Sequence, residues 1–273
     1  MKGSPWRLPL RYAVLVYLAL LVVVPVGAVF YHAFSPGLGS AWDAFTTPDG
    51  LHALLLTLIV VAIAVPLNTV FGVGVSLILA RHRFPGAWLL DALIDIPLAV
   101  SPVIIGLSLI LVYGKTGWWG NWLAERGITV IFSVPGIVMA SAAVSLPYVV
   151  REVLPVLQEI GTEQEQAART LGAGPFTVFR RITLPNIRRG LAYGVTLTTA
   201  RVLGEFGAVS VVSGAVAGKT QTYTLFISQS IDNLEPQAAY VGAVVLCFSA
   251  LIVLSLLTLT DRKRDTWHGR ATA

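Results

Sequence analysis

Residues 51–80 read LHALLLTLIVVAIAVPLNTVFGVGVSLILA and contain no Asp, Glu, Lys or Arg. A helix needs about 20 mostly apolar residues to cross a hydrocarbon core about 30 Å thick, so this run predicts a transmembrane helix. Five further intervals have similar length and apolar content. The sequence therefore predicts an all-α membrane protein with six transmembrane helices, over about 10–34, 51–80, 88–113, 130–150, 190–213 and 237–260.

The composition of the whole chain excludes a soluble globular fold. Of its 273 residues, 55% are hydrophobic and 12% are charged, and the mean hydropathy is +0.76, whereas soluble domains carry about 25% charged residues. We expect one polytopic membrane domain over 1–273, with a core over 51–260. Cys247 is the only cysteine, so the chain has no disulfide framework and no CxxC pair.

The basic residues of the predicted loops indicate how the chain is oriented, because cytoplasmic loops carry an excess of Lys and Arg. One side has only Lys115, Arg126 and Lys219. We therefore predict that both termini are cytoplasmic and that the first span is retained. The positive charge is then a topology signal and a contact for lipid headgroups, and nucleic acid is not expected as a partner. The basic residues of the cytoplasmic side are Lys2, Arg7, Arg11, Arg81, Arg83, Arg151, Arg169, Arg180, Arg181, Arg188, Arg189, Arg262, Lys263, Arg264 and Arg270.

The predicted cytoplasmic loop at 151–189 contains helix start and stop signals. Thr162 and Glu165 have the spacing of a capping box, which predicts a short helix from Thr162 to Gly172 or Gly174. Pro175 is typical of the first turn of a second helix, which Pro185 should end. Spacing alone leaves two readings open: a partner-binding helical pair, or an amphipathic helix lying on headgroups.

The same loop contains QAA at 166–168, Gly172, and ITLP at 182–185 after nine intervening residues. This motif resembles the EAA loop of ABC importer permeases with the type I fold. The resemblance implies that a helix here docks on a cytoplasmic ABC ATPase dimer, which binds ATP and Mg and hydrolyses the nucleotide. This chain has Gln166 where the family usually has glutamate, so in place of a salt bridge to the ATPase we expect either a neutral hydrogen bond or a weaker contact. The implied coupling residues are Glu165, Gln166, Ala167, Ala168, Gly172, Ile182, Leu184 and Pro185.

A narrower resemblance lies in the predicted fifth span, where 200–214 read ARVLGEFGAVSVVSG. This segment, together with PLNTVFG at 66–72 and IPLAVSP at 96–102, is similar to sulfate permeases of the CysW type. The resemblance implies import of sulfate, and of thiosulfate by the same path, across the bacterial cytoplasmic (inner) membrane. It also implies a second homologous permease subunit and a periplasmic or extracellular sulfate-binding protein. Molybdate or tungstate is the alternative substrate.

Arg201 and Glu205 are ionisable residues within the predicted fifth span, four residues apart and so on one face of a helix. Two readings stay open: they lie with Gly204 and Gly207 in the translocation pathway or its gate, or they form a structural ion pair. Asp91 and Asp95 also share a helix face, but we expect them outside the pathway because carboxylates repel a dianion.

A polytopic membrane enzyme has a similar composition and is the alternative from another class. The four histidines lie in different segments, and the chain has no HExxH or GxSxG motif. The segment at 214–220, GAVAGKT, falls one residue short of the P-loop spacing. We therefore expect no catalytic residues, no metal and no cofactor in this chain.

Overall fold

The computed structural model describes the backbone of residues 7–268, and the side chains of residues 12–252 and of Ser255. The described residues form helices and no strand, which confirms the all-α prediction. The helices are α1 Arg7–Leu18, α2 Val24–Phe34, α3 Leu38–Phe45, α4 Pro48–Arg81, α5 Ala87–Ala99, α6 Pro102–Tyr113, α7 Gly120–Ala124, α8 Val134–Ile160, α9 Glu163–Thr170, α10 Pro175–Val178, α11 Leu184–Leu203, α12 Gly207–Val212, α13 Tyr223–Asp232 and α14 Pro236–His268. Wide π turns over Ala19–Val23 and Phe179–Thr183 join α1 to α2 and α10 to α11.

A helix occupies each of the six intervals that the sequence assigned to the membrane. By length and apolar content, the described residues contain three helices able to span a bilayer: Tyr12–Phe34, Pro48–Arg81 and Val134–Ile160. The bent pair of α5 and α6 would be a fourth span, and Pro236–Ile252 is a shorter apolar helix. Helix α11 is less apolar because it carries three arginines.

The centre of the fold is a parallel pair, α4 and α8, with α11 antiparallel to both. Asn68 of α4 bonds to Ala142, and Arg81 bonds to Leu157, so the two helices advance in the same direction. Against α8, Gly190 lies beside Glu152 and Gly194 lies beside Val149, so α11 runs the opposite way. Large side chains would separate these helices, and glycine permits their close approach.

Gly72 and Gly74 of α4 offer a direct test of this packing. A Cβ atom added at Gly72 would lie 2.7 Å from Cβ of Val149, whereas one added at Gly74 meets nothing within 4 Å. Overpacking a core site costs about 1–3 kcal/mol. We expect Gly72→Val to lower the melting temperature of the purified protein and Gly74→Val to leave it nearly unchanged. Equal melting temperatures for the two variants would contradict this packing.

A buried polar group also fixes the register of α4 against α8. The Asn68 side-chain amide donates to the carbonyl oxygen of Ala142 at 2.9 Å and to the Ser145 hydroxyl at 2.8 Å. Because an unpaired amide in an apolar interior is costly, these bonds favour one sliding position of the two helices over others.

Two of the predicted spans are each formed by two helices, with a break at a proline or glycine position. The predicted third span consists of α5 and α6, and the helix axis bends by 115° between them, which is the geometry of a broken span or a re-entrant loop. Ser101 precedes Pro102 and adopts an extended conformation with ψ of 136°, because a residue before proline disfavours the helical conformation. The fifth span ends as a helix at Leu203 and resumes at Gly207. Pro66, by contrast, leaves α4 continuous.

Two further expectations about the loop at 151–189 are wrong. Helix α8 continues to Ile160 because Val153, Leu154 and Leu157 are buried, so the start of the predicted loop is helical. Pro185 does not end the second helix: α10 passes through the π turn into α11. The extra residue in a π turn relieves the clash that the proline ring would otherwise make.

The first long helix lies at the edge of the bundle. Ala33 at its end packs with Ala41 of α3 and with Val241 and Val244 of α14, while its apolar window has no buried residues. Lys2 lies outside the described residues, as does Arg270. The side chains of Arg7, Arg11, Arg262, Lys263 and Arg264 also lie outside them, so their part in the charge asymmetry stays a prediction.

Candidate functional site

The helix α9 begins and ends where the sequence predicts, although its first turn is held differently. Thr162 stands at the N-cap without bonding to the backbone, and its hydroxyl instead accepts from the Gln166 side-chain amide at 3.0 Å. The reciprocal capping box is therefore absent. At the other end Gly172 has φ of +85°, and Ala173 N–H donates to Ala168 C=O at 3.0 Å. This left-handed glycine closure turns the chain toward Pro175.

Glu165 points into the protein. Its carboxylate oxygens lie 3.1 and 3.2 Å from Nη2 and Nε of Arg81, and Oε1 also accepts from the Thr183 hydroxyl at 2.9 Å. Sequence reasoning did not predict that Arg81 or Thr183 would contact Glu165. Arg81 counted only as a topology charge, and its partner is 84 residues away, beyond the reach of any local spacing rule.

The surface beside Glu165 is exposed and partly apolar. Gln166 and Ala167 of α9 are exposed, and Ala168 is half-buried. In the turn that follows, Leu171 is 88% exposed and Phe176 is 73% exposed. Of the other predicted coupling residues, Ile182 and Leu184 are half-buried and Pro185 is exposed. Two large exposed apolar side chains beside the two alanines of α9 form a surface suited to a protein partner. We call Gln166, Ala167, Leu171 and Phe176 the loop surface.

Arg201 and Glu205 form a second polar site, at the break in the fifth span. Their side chains lie 2.9 Å apart, with Glu205 1% exposed and Arg201 30% exposed. The second Glu205 oxygen accepts from Ala208 N–H at 2.8 Å, at the start of α12. The carboxylate is therefore held at a fixed place by a cation and a backbone donor.

The interruptions of the third and fifth spans meet beside this pair. A Cβ atom added at Gly207 would lie 3.1 Å from Cβ of Pro102, and one added at Gly106 would lie 2.8 Å from the Ala208 carbonyl oxygen. A Cβ atom added at Gly204 would meet only the Ala200 carbonyl oxygen, at 3.7 Å. The two glycines at the break thus differ, since Gly207 serves close packing and Gly204 borders free space.

Polar side chains that the sequence did not single out surround the same break. The Thr224 hydroxyl donates to the Glu205 carbonyl oxygen at 2.9 Å. Gln221 donates to Gln229, whose own amide donates to Ala215 C=O at 3.2 Å. Gln221 and Thr222 lie in the irregular segment before α13, and Thr224 lies in the first turn of that helix. This stretch shows no apolar periodicity that would have predicted burial.

Asp91 and Asp95 both pair with one cation of α8. Arg151 Nη2 lies 2.9 Å from Asp91, and Nε donates to Asp95 at 2.8 Å. This pairing ties α5 to α8 and neutralises part of the acidic charge. Among the described residues, no three His, Cys, Asp or Glu side chains are grouped as a metal site would require.

Comparison with known proteins gives a consistent result. Residues 72–265 match the family described as "Binding-protein-dependent transport system inner membrane component". A protein named "Sulfate transport system permease protein CysW" from Synechocystis sp. is 49% identical over 257 residues, covering 94% of this chain and 92% of that protein. The protein of the same name from Escherichia coli is 43% identical over 253 residues, covering 93% and 87%.

The fold also matches a solved structure, despite low sequence identity. A chain in the crystal structure of a bacterial alginate ABC transporter, bound to a periplasmic protein carrying an alginate pentasaccharide, superposes with a TM-score of 0.78. The match covers 94% of each chain at 14% identity. At that identity, the similarity concerns the fold alone.

Proposed function

Because this chain belongs to the family of inner membrane components of binding-protein-dependent transport systems, we propose that it is the permease subunit of an ATP-driven ABC importer of sulfate. The identities of 49% and 43% to sulfate permeases, each over more than 90% of this chain, carry this conclusion. The chain is a transport component and not an enzyme. Thiosulfate, which has a similar size and charge, would follow the same path.

The protein is a membrane permease, and we place it in the bacterial cytoplasmic (inner) membrane as a multi-pass protein. The end of the bundle that carries Arg81, Arg151 and the loop surface would face the cytoplasm, with both termini on that side. The excess of basic residues in these loops supports this orientation. The opposite end carries three exposed tryptophans, Trp118, Trp119 and Trp122. They suit the membrane–water interface on the external side of the inner membrane.

The loop surface is our candidate docking site for a cytoplasmic ABC ATPase dimer. Leu171 and Phe176 would enter a groove of the ATPase, and the small side chains of Ala167 and Ala168 would allow the backbones to approach. Gln166 is exposed beside them, so its neutral amide would meet the partner where a glutamate is usual. ATP and Mg would bind to the ATPase, since this chain is not expected to hold either.

Two partners would complete the importer on the membrane and outer sides. A second, homologous permease subunit would pair with this chain, and the lipid-facing apolar surface of Tyr12–Phe34 supports membrane lipid as a further contact. A periplasmic or extracellular sulfate-binding protein would dock at the end that carries 114–133. Because that protein would select the anion before delivery, the permease needs only moderate selectivity of its own.

We place the translocation pathway or its gate at the break in the fifth span. Arg201 would lower the electrostatic barrier to a dianion, and Glu205 would hold the guanidinium in position and keep the anion from binding too tightly. Gly204 borders open space, and Gly207 packs against Pro102 at the bend between α5 and α6. Alternating access would then involve small rotations at these two interruptions.

Uptake of labelled sulfate tests the substrate. Bacterial cells lacking this chain should regain sulfate uptake when the chain is restored, and excess unlabelled molybdate should compete only weakly. The measurement is initial uptake with and without the competitor, in cells with matched amounts of the partner subunits. Molybdate accumulation that depends on the chain, with unchanged sulfate uptake, would replace sulfate by molybdate or tungstate as the substrate.

A further inference from the structure

The short helix α9 has an unusual anchor. Its sequence is EQEQAART, and Glu165 is its only buried residue. A surface helix is ordinarily held by an apolar stripe, but α9 buries no apolar side chain. A carboxylate is costly to bury unless it is paired and hydrogen-bonded. The interaction of Glu165 with the bundle therefore fixes where α9 stands.

That interaction reaches the ends of three long helical segments. Arg81 is the last residue of α4, and it donates through Nη1 to the Leu157 carbonyl oxygen of α8 at 2.9 Å while its other nitrogens hold Glu165. Thr183 closes the π turn at the base of α11 and donates to the same carboxylate. The Arg81 and Glu165 side chains are only 12% and 11% exposed, so neither is available to a large partner.

The Arg81–Glu165 pair fixes the orientation of α9 relative to α4 as well as the distance between the two helices. Two nearly parallel N–H···O bonds between a guanidinium and a carboxylate resist both separation and rotation, whereas a lysine ammonium would supply a single point charge. A displacement of α9 thus has to move the end of α4 with it or break two charge-assisted bonds. The exposed contact between Gln164 and Asn186, at 2.9 Å, gives no comparable constraint.

We propose that Arg81 and Glu165 are positioning residues that carry the movement of α9 into α4, and that Glu165 does not contact the ATPase. The inference rests on the proposed function, since it assumes that an ATPase moves the loop surface. The connection between α9 and α4 is then a pair of residues that both belong to this chain. The exposed residues of the loop surface would make the contact, and the Arg81–Glu165 pair would pass the motion on to the spanning helices.

The test uses the complete transporter, purified with its second permease and ATPase subunits and reconstituted in liposomes. The ratio of sulfate imported to ATP hydrolysed is measured, together with the amount of ATPase that co-purifies. We expect Arg81→Lys and Glu165→Gln to lower the ratio about fivefold, with ATPase retention unchanged. A wild-type ratio in these variants would overturn the proposal. Retention that falls together with import would also overturn it, because the loss of import would then follow from lost binding of the ATPase and not from a broken link between α9 and α4.

Matched controls separate this effect from a general loss of charge. Arg83 and Glu159 are exposed at the same end of the bundle, so Arg83→Lys and Glu159→Gln should keep the wild-type ratio. If the single variants fail to fold, the double variant Arg81→Met/Glu165→Leu removes both buried charges and should fold while giving the same low ratio. A wild-type ratio there would also refute the proposal.

The same liposomes keep this test apart from that of the substrate. Wild-type transporter that imports molybdate instead of sulfate would overturn the proposed substrate alone, and the ratio is then measured with molybdate. Wild-type transporter that hydrolyses ATP and imports neither anion would overturn the proposed function.

Discussion

Replacing Gly172 with valine is expected to reduce sulfate uptake to background. Gly172 closes α9 with φ of +85°, a conformation that costs a non-glycine residue about 1–3 kcal/mol and is least accessible to a β-branched side chain. The free space around the glycine means that the effect would come from the backbone alone. A chain that cannot turn here would separate α9 from Phe176 and divide the loop surface.

The control at the same position is Gly172→Asn. Asparagine adopts the left-handed conformation more readily than other residues do, so this variant should retain much of the uptake and bind the ATPase. Both variants should insert into the membrane in normal amounts, since Gly172 lies outside the spanning helices. Uptake is measured in cells with equal amounts of membrane-inserted protein. Full uptake by Gly172→Val would show that coupling to the ATPase does not need the left-handed turn.

Replacing Arg201 with glutamine is expected to cause the second large loss. The variant leaves the Glu205 carboxylate, which is 1% exposed, with the Ala208 N–H as its remaining close partner. Removing one member of a buried ion pair costs about 3–5 kcal/mol, a large part of the roughly 5–15 kcal/mol that stabilises a typical domain. We expect a lower melting temperature, less assembled transporter and no measurable uptake.

The double variant Arg201→Gln/Glu205→Gln separates a pathway role from a structural one. A glutamine at 205 can still accept from Ala208 N–H through its carbonyl oxygen, and no buried charge remains. We expect the melting temperature to recover, while uptake per assembled transporter stays at least about tenfold low, equivalent to about 1.4 kcal/mol on the barrier. Recovery of both would show that the pair is structural, and a wild-type melting temperature in Arg201→Gln would contradict its tight coupling to Glu205.

The two sites differ in how much of them could be predicted from the sequence. Gly172 and Pro175 were predictable because their roles follow from backbone conformation, which depends on neighbours along the chain. The pairing of Arg201 with Glu205 was also predictable, since four residues is one turn of a helix. The bond from Glu205 to Ala208 was not predicted, because it depends on α11 ending at Leu203, inside an interval that the apolar pattern presents as one helix.

Glu165 shows most clearly what could not be predicted from the sequence. Local spacing assigned its carboxylate to a capping box with Thr162, and the family resemblance placed it among coupling residues at the surface. In the structure, an arginine 84 residues away takes the carboxylate, because a buried charge gains more from a guanidinium than from a backbone amide at an exposed helix end. Asp91 and Asp95 meet Arg151 of another helix in the same way.

The sequence by itself determined that this protein lies in a membrane, which intervals are helical, and where α9 begins and turns. Those properties depend on apolar length, on the conformations open to glycine and proline, and on neighbours within one helical turn. Only the tertiary structure decided that the third and fifth spans are interrupted side by side, that Gly72 approaches Val149, and that Arg81 holds Glu165. Each of these depends on which helices meet and at what register, and that follows from packing between segments far apart in the chain.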